Sequence, residues 1–226
     1  MMGNYLKPLL ALDLYCGAGG ASMGLHEAGF KVIGIDIRPQ PNYPFEFVQG
    51  NALRPPFNLN NFDFFWASPP CQKYTRMSQG LLQSQGRGRE YPDLIAETRL
   101  LLQSIGKPYV IENVPGASLI NPVMLCGSSF GLLVQRHRLF ETNWPLITPQ
   151  CQHYLWPKDK PPLHRLQGKS RCVGCYGHGR AKGDNVALWQ KAMGITWMTR
   201  KELSQAIPVA YSRFIGKFYR NLNNSL

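Results

Sequence analysis

The stretch that decides the fold is Phe62–Gln72, FDFFWASPPCQ. Its first half is apolar except for Asp63, and this run is apolar enough to predict a buried strand of a parallel sheet. The two prolines that follow forbid a helix and stiffen the chain, because each fixes φ and lacks a backbone N–H. Open α/β sheets bind ligands at the carboxyl ends of their strands, so Cys71 is a candidate functional residue. The alternative is a buried cysteine that packs as a small hydrophobic residue.

The beginning of the chain predicts a strand, a glycine-rich turn and a helix. Leu9–Tyr15 is the apolar run, and Cys16–Ser22 is the turn that follows it. Glycines in such a turn let the backbone approach a ligand closely and adopt positive φ. No Gly-Lys-Ser/Thr follows, so the turn is not typical of a site for a nucleoside triphosphate.

Two further strands are predicted to end in polar residues. Phe30–Ile37 carries Asp36 near its end, about 20 residues past the glycine-rich turn, where nucleotide-binding folds place a carboxylate that binds ribose. Asp36 could instead cap the next turn. Phe45–Val48 precedes Asn51, which could hydrogen-bond the edge of an adenine or simply begin a turn.

Ionisable side chains mark two more predicted strands. Glu112 lies in the apolar run Lys107–Pro115, where partial desolvation would raise its pKa. Leu132–Phe140 reads as an alternating strand that carries Arg136 and Arg138 on one side. These arginines could clamp a phosphate, contact a base or occupy a solvated edge.

Two helices are predicted in the rest of the chain. Asp93–Ile105 has an amphipathic pattern and is assigned to the core. Glu202–Leu222 is expected to form the last helix, with Pro208 in its first turn, where a missing N–H is tolerated. The apolar face of this last helix is expected to dock onto the sheet.

Length and charge restrict the possible function classes. A chain of 226 residues with 44% hydrophobic residues can form one domain with a core, or one domain with a small insertion. Its net charge of +12 favours a polyanionic partner, with nucleic acid first. The basic loop Gln72–Glu90 suits a segment that closes over such a partner, although a disordered surface loop is the alternative. No signal peptide or membrane span is recognisable, so an intracellular protein is expected.

The segment from Thr142 to about Gly194 changes in character. It is rich in proline, basic residues and glycine, which predicts an inserted module or a long functional loop. Its basic and aromatic residues suit contacts with DNA. With no secretory signal, the six cysteines indicate thiols or metal ligands rather than disulfides. Because the ligand spacing is unconventional, no metal is predicted, and a structural zinc site stays open as the alternative. Its candidate ligands are Cys151, His153, Cys172, Cys175 and His178.

Taken together, these motifs resemble the DNA (cytosine-5) methyltransferases, and most closely their compact bacteriophage-type members. Asp13–Gly20 resembles the family's loop for S-adenosylmethionine, Ser68–Gln72 its nucleophile motif and Glu112–Val114 its acidic motif. Gln135–Arg138 approximates its paired-arginine strand. Where the family usually carries Gly-Asn in its closing motif, this chain has Ser204-Gln205-Ala206.

The resemblance implies a Rossmann-like α/β fold of the S-adenosylmethionine-dependent methyltransferases, with a seven-stranded, mostly parallel sheet. It implies a catalytic domain of residues 1–141 and 196–226 and a small target-recognition region of residues 142–195. The implied catalytic residues are Cys71, Glu112, Arg136 and Arg138. The implied residues for the cofactor are Asp13, Tyr15, Cys16, Gly17, Ala18, Gly19, Gly20, Asp36, Ile37, Asn51, Ala52 and Pro69.

The resemblance also implies the reaction. S-adenosylmethionine would donate a methyl group to carbon 5 of a cytosine that is flipped out of duplex DNA, through a Cys71 adduct at carbon 6. An RNA cytosine-5 methyltransferase and a non-catalytic DNA-binding protein are the alternatives. We expect a monomer with no membrane or protein partner, in the cytoplasm of a bacterial or phage-infected cell, with a role in restriction-modification.

Overall fold

The computed structural model describes residues 8–74, 92–153, 173–175 and 186–224. Its strands form a seven-stranded sheet in the order β3-β2-β1-β4-β5-β7-β6. The first five in this order run parallel, and β7 runs antiparallel to both β5 and β6. The predicted α/β class and the mostly parallel Rossmann-like sheet are confirmed. The strands are β1 (Leu10–Leu14), β2 (Lys31–Asp36), β3 (Glu46–Gln49), β4 (Phe64–Ala67), β5 (Tyr109–Asn113), β6 (Val123–Leu125) and β7 (Arg138–Thr142).

Five α-helices accompany the sheet in the described part of the chain. They are α1 (Gly20–Glu27), α2 (Ile95–Ile105), α3 (Val186–Met193), α4 (Arg200–Gln205) and α5 (Val209–Asn224). The central strands are buried on both faces; in β4 and β5 every residue is buried. One face packs against α1 and α5 through residues such as Leu25, Trp66 and Tyr211, and the other packs against Leu102 of α2. Burial on both faces explains why these strands are apolar runs rather than alternating ones.

Helices α1 and α5 pack very closely. A Cβ added at Gly24 would lie 2.0 Å from Ser212 Oγ and 2.3 Å from the Val209 carbonyl oxygen. Only glycine allows the two helices to approach to this distance. Tyr211 and Ile215 of α5 are completely buried against the sheet, so the expected docking of the last helix is confirmed.

The structure corrects two predicted elements. The single helix expected over Glu202–Leu222 is two helices, α4 and α5, because the chain is extended at Ala206 (φ −63°, ψ 154°) before Pro208. The strand expected over Leu132–Phe140 begins only at Arg138. Arg136 has a positive φ of 39°, so Arg136 and Arg138 do not lie on one side of one strand.

Helix α3 falls inside the predicted recognition region, residues 142–195. Its Trp189, Ala192 and Met193 pack in one cluster with Leu203 of α4 and Val209 of α5. This end of the region therefore joins the core of the domain that carries the sheet. The domain boundaries themselves stay a prediction, since residues 154–172 and 176–185 lie outside the described part. Among the described helices, none has the length and apolarity that a membrane span needs.

Candidate active site

A pocket of about 310 Å³ opens where the carboxyl ends of four parallel strands meet. Loops after β1, β2 and β4 line it, and the side chain of Glu112 in β5 enters from the fourth strand. Parallel strands present their carboxyl ends at one edge of the sheet, which is why predictions made separately for each strand converge here. The predicted site residues that line the pocket are Tyr15, Cys16, Gly17, Ala18, Gly20, Asp36, Ile37, Pro69, Cys71, Glu112 and Arg138.

One part of the pocket has the features of a nucleoside site. Asp36 is the last residue of β2 and lies beside the glycine-rich turn. Its Oδ2 accepts a hydrogen bond of 3.1 Å from Gly17 N. Gly17 has a φ of +49°, and a Cβ placed there would meet nothing within 4 Å, so the turn leaves open space beside the carboxylate. Ile37 lines the same pocket and is 69% exposed. A carboxylate for ribose hydroxyls and an apolar surface for adenine fit an adenosyl group.

Four predicted cofactor residues do not line the pocket: Asp13, Gly19, Asn51 and Ala52. Asp13 is completely buried and accepts a hydrogen bond of 2.5 Å from Ser22 Oγ. Burial raises the pKa of its carboxyl group to about 7. The Asn51 side chain accepts a hydrogen bond from Leu53 N, which is the turn interpretation that the sequence left open. The hydrogen bond between Asp13 and Ser22 therefore ties β1 to the glycine-rich turn, and Asp13 does this without lining the pocket.

Cys71 lies on a loop that neighbouring strands hold in place. Ser68 N donates to the Leu14 carbonyl oxygen at 3.1 Å, and Asn113 Nδ2 donates to the Pro69 carbonyl oxygen at 3.0 Å. The thiol is half-buried at the rim of the pocket. Burial raises its pKa, Arg138 opposes this effect, and the charge of Glu112 raises the pKa further. The free site therefore favours the thiol over the reactive thiolate.

Glu112 and Arg138 form the charged wall of the pocket. Arg138 Nε lies 2.9 Å from Glu112 Oε1, and Glu112 is only 6% exposed. Burial raises the pKa of Glu112, while Arg138, a hydrogen bond with Ser68 and the charge of Arg136 act in the opposite direction. A carboxyl group with a raised pKa keeps its proton to higher pH and can donate it to a bound base.

Arg136, predicted beside Arg138, is directed elsewhere. It is 1% exposed, and its guanidinium donates to the carbonyl oxygens of Cys175 and Ser204 at 2.8 Å each. The left-handed backbone at this residue turns the side chain into the core, so it does not line the pocket. Arg136 ties the segment before β7 to α4, and its charge lowers the pKa values of Glu112 and Cys71.

Residues of α4 also line the pocket, although none of them was predicted to be a site residue. Glu202, Ser204 and Gln205 reach it from this short helix. Thr199 caps α4 in a capping box with Glu202, and the Thr-x-x-Glu pattern is a signal that could have located its start. Both Glu202 carboxylate oxygens accept from Asn42 Nδ2 at 3.0 Å, which joins the loop after β2 to α4.

The remaining predictions concern basic and metal-ligating residues. Of the basic loop, Lys73 is described and forms an ion pair of 3.1 Å with Asp93. Residues 75–91 and the basic and aromatic residues between 154 and 185 lie outside the described part, as do Cys172 and His178. Cys151 and His153 lie together, with Cys126 and His137 as their neighbours. Cys175 packs instead in the cluster around α3.

Known proteins resemble this chain in sequence. The sequence model of the family described as C-5 cytosine-specific DNA methylase matches residues 9–121. The human tRNA (cytosine(38)-C(5))-methyltransferase is 27% identical over 174 residues, which is 68% of this chain and 43% of the relative. The rat enzyme of the same description is 30% identical over 146 residues, or 58% and 34% of the two chains. This chain thus spans less than half the length of these curated relatives.

Solved structures show the same fold. A putative DNA modification methyltransferase encoded within an Escherichia coli prophage superposes with a TM-score of 0.60 and 14% identity, covering 96% of this chain and 99% of its own. The Dnmt2 methyltransferase of Schizosaccharomyces pombe superposes with a TM-score of 0.57 and 14% identity, covering 96% and 100%.

Proposed function

Because the chain belongs to the C-5 cytosine-specific DNA methylase family, we propose that it methylates carbon 5 of a cytosine in duplex DNA. Family membership makes S-adenosylmethionine the cofactor. The observation that carries the proposal is one pocket lined by Cys71, Glu112 and Arg138 on one side and by Gly17 and Asp36 on the other. A candidate nucleophile, a candidate acid and a candidate nucleoside site that share one pocket support the proposal.

Carbon 5 of cytosine is too weak a nucleophile to take a methyl group directly. The cofactor supplies an electrophilic methyl group on a sulfonium sulfur. In our proposal the Cys71 thiolate forms a bond to carbon 6, and ring nitrogen 3 takes a proton from Glu112. The resulting enamine makes carbon 5 nucleophilic, so that it bonds to the methyl carbon while the sulfonium sulfur keeps the electron pair of the broken bond. Loss of the carbon 5 proton to water and departure of the Cys71 thiolate restore the ring, and nitrogen 3 returns its proton to Glu112.

The ion pair gives Arg138 a positioning role in this proposal. Its Nε fixes one oxygen of Glu112, so the other oxygen can be aimed at the base. The same positive charge is the largest influence that lowers the pKa of Cys71. The guanidinium lines the pocket, where we propose that it also contacts oxygen 2 of the cytosine.

Duplex DNA as the substrate requires the target cytosine to leave the base stack, because carbon 6 is inaccessible within a duplex. Flipping a base costs a few kcal/mol, and contacts to phosphates from a chain of net charge +12 would offset it. Action in the cytoplasm as a monomer and a role in restriction-modification stay predictions.

Transfer RNA is the second candidate substrate. The curated relatives that match this chain are described as tRNA (cytosine(38)-C(5))-methyltransferases, so their names also specify carbon 5 of a cytosine. The reaction at the pocket does not distinguish the two substrates, since both present the same cytosine ring once it is unstacked.

Nucleoside mass spectrometry tests both candidates in one experiment. The protein and S-adenosylmethionine are incubated with unmethylated duplex DNA or with unmodified transfer RNA, and the digested products are analysed for 5-methylcytosine nucleosides. We expect 5-methyldeoxycytidine from DNA with the wild-type protein and none with Cys71→Ala. Methylation of transfer RNA alone would mean that RNA is the substrate. No methylation of either nucleic acid would contradict the proposed activity.

A trapping experiment tests the covalent step separately. When carbon 5 of the target carries fluorine, the final loss of a proton cannot occur, so the Cys71 adduct should accumulate after methyl transfer. We expect a complex that withstands denaturing electrophoresis and depends on both S-adenosylmethionine and Cys71. Methylation without any trapped complex would contradict the role of Cys71.

A further inference from the structure

Four side chains outside the pocket converge on one point: Cys126, His137, Cys151 and His153. One ligand atom from each lies within 4.8 Å of all the others. We propose that they bind a zinc ion as a closed Cys2His2 structural site. This proposal does not depend on the reaction assigned to the pocket.

Two of the ligand pairs already stand at distances that suit tetrahedral coordination. With zinc–sulfur bonds of about 2.3 Å and zinc–nitrogen bonds of about 2.0 Å, neighbouring ligand atoms stand about 3.3–3.8 Å apart. Cys126 Sγ lies 3.7 Å from His153 Nδ1, and Cys151 Sγ lies 3.5 Å from His137 Nε2. Cys151 Sγ and His153 Nδ1 are 2.6 Å apart, so this pair would open by about 1 Å around the ion.

The pairing of β6 with β7 creates half of the site. Leu125 pairs with Arg138 in the antiparallel register, so Cys126, one residue later, stands opposite His137, one residue earlier. Gly127 N donates to the Gln135 carbonyl oxygen at 2.7 Å, which continues the ladder beyond the two ligands. These two ligands therefore lie directly beyond the ends of β6 and β7, with backbone hydrogen bonds on both sides of them.

The other two ligands follow β7, and hydrogen bonds hold them against the same turn. Ser129 Oγ donates to the Gln150 carbonyl oxygen at 2.8 Å, and Gln152 N donates to Ser128 Oγ at 3.1 Å. Ser128 Oγ in turn donates to Cys126 Sγ at 3.1 Å. Hydrogen bonds of this kind, from outside the ligand set, orient ligands around protein-bound metals.

The donor set favours zinc. Two thiolates with two imidazoles are typical of zinc in tetrahedral sites, and four protein ligands leave no open position for a substrate. Such a site would stabilise the fold and would not bind a substrate. It would fasten the chain at residues 151–153, where the recognition region is predicted, to β6 and β7. It would also fix His137, and hence the backbone that presents Arg138 to Glu112.

Metal analysis of the purified full chain tests the proposal. We expect about one zinc ion per chain in the wild-type protein, and loss of that zinc in Cys126→Ser and Cys151→Ser. Two cysteines outside the cluster supply matched controls, because Cys175→Ala and Cys71→Ser remove a thiol and keep all four ligands. Zinc that persists in Cys126→Ser and Cys151→Ser, or that disappears equally in the controls, would overturn the assignment.

Because a ligand variant could fail to fold, the wild-type chain supplies an independent measurement. Cobalt exchanged into the site should show the visible bands of tetrahedral coordination and a near-ultraviolet charge-transfer band from thiolate ligands. Removing the metal with a chelator should lower the melting temperature, and added zinc should restore it. Wild-type protein that takes up neither ion under reducing conditions, or that contains a Cys126–Cys151 disulfide as isolated, would refute the site.

Discussion

Glu112 and Arg138 meet across the end of the β5–β7 ladder, with 2.9 Å between Glu112 Oε1 and Arg138 Nε. Both side chains are largely buried, and both act on the nearby thiol of Cys71, in opposite directions. Arg138 lowers the pKa of the thiol, whereas Glu112 raises it. Arg138 therefore favours the thiolate that the proposed attack needs, whereas it opposes the protonated form of Glu112 that ring nitrogen 3 needs.

Replacing Arg138, the positively charged residue of the pair, should make the Cys71 thiol less reactive. In Arg138→Met the pKa of the thiol should rise, because its main stabilising charge is lost. Only the thiolate reacts with iodoacetamide, so the profile of alkylation rate against pH should move to higher pH. The rate at Cys71 can be followed by mass spectrometry. Arg213→Gln, which breaks an exposed ion pair with Glu27, should leave the profile in place; an unchanged profile in Arg138→Met would contradict the electrostatic argument.

Replacing Glu112, the negatively charged residue of the pair, should change the alkylation rate of Cys71 and the rate of methyl transfer in opposite directions. In Glu112→Gln the pKa of Cys71 should fall, since the carboxylate charge that raises it is gone. Alkylation should then become faster at a given pH. Methyl transfer should nevertheless drop by about 10²–10⁴-fold, because an amide cannot deliver a proton to ring nitrogen 3. Single-turnover transfer and alkylation measured on the same sample test both halves, and a variant in which the two rates rise together would exclude Glu112 as the acid.

The carboxylate of Asp36 should govern binding of the cofactor. Asp36→Ala loses the acceptor expected for the ribose and also the bond from Gly17 N that shapes the turn. A hydrogen bond to a charged group contributes about 1.5–3 kcal/mol, so the Kd for S-adenosylmethionine should rise tenfold or more by calorimetry. Glu27→Gln, an exposed carboxylate on α1, is the control that should bind normally. Equal affinity in Asp36→Ala would remove Asp36 from the site.

Much of the fold and of the pocket could be predicted because the sheet imposes simple patterns. Strands covered on both faces are apolar runs, as β4 and β5 show, and parallel strands bring their carboxyl ends together. Asp36, Cys71 and Glu112 were each predicted at the end of a separate strand, and the structure places all three around one pocket. No contact between them had to be known in advance.

What could not be predicted depended on backbone conformation and on pairing between distant segments. The alternation of Arg136 and Arg138 resembles a strand, but a positive φ at Arg136 ends the pattern and turns its side chain into the core. Cys151 and His153 were recognised as possible ligands, yet their partners Cys126 and His137 come together only through the β6–β7 ladder. The three-residue strand β6 is too short to leave a periodic signal in the sequence.

The close approach of α1 and α5 gives the sharpest prediction about stability. A Cβ at Gly24 would lie 2.0 Å from Ser212 Oγ and 2.3 Å from the Val209 carbonyl oxygen. Backbone cannot move away as a flexible side chain could, so Gly24→Ala should separate the helices and lower the free energy of unfolding by about 3 kcal/mol or more.

Gly106→Ala separates this steric effect from the general effect of replacing a glycine. Gly106 ends α2 with a φ of +68°, and a Cβ there would meet nothing within 4 Å. Gly106→Ala should therefore lower the free energy of unfolding by only about 1–2 kcal/mol, which is the cost of left-handed backbone for a residue with a Cβ. Urea denaturation of the two variants measures the difference. Gly24→Ala should be the less stable, and its loss should exceed that of Gly106→Ala; a Gly24→Ala protein as stable as the wild type would mean that α1 and α5 are not in contact at this residue.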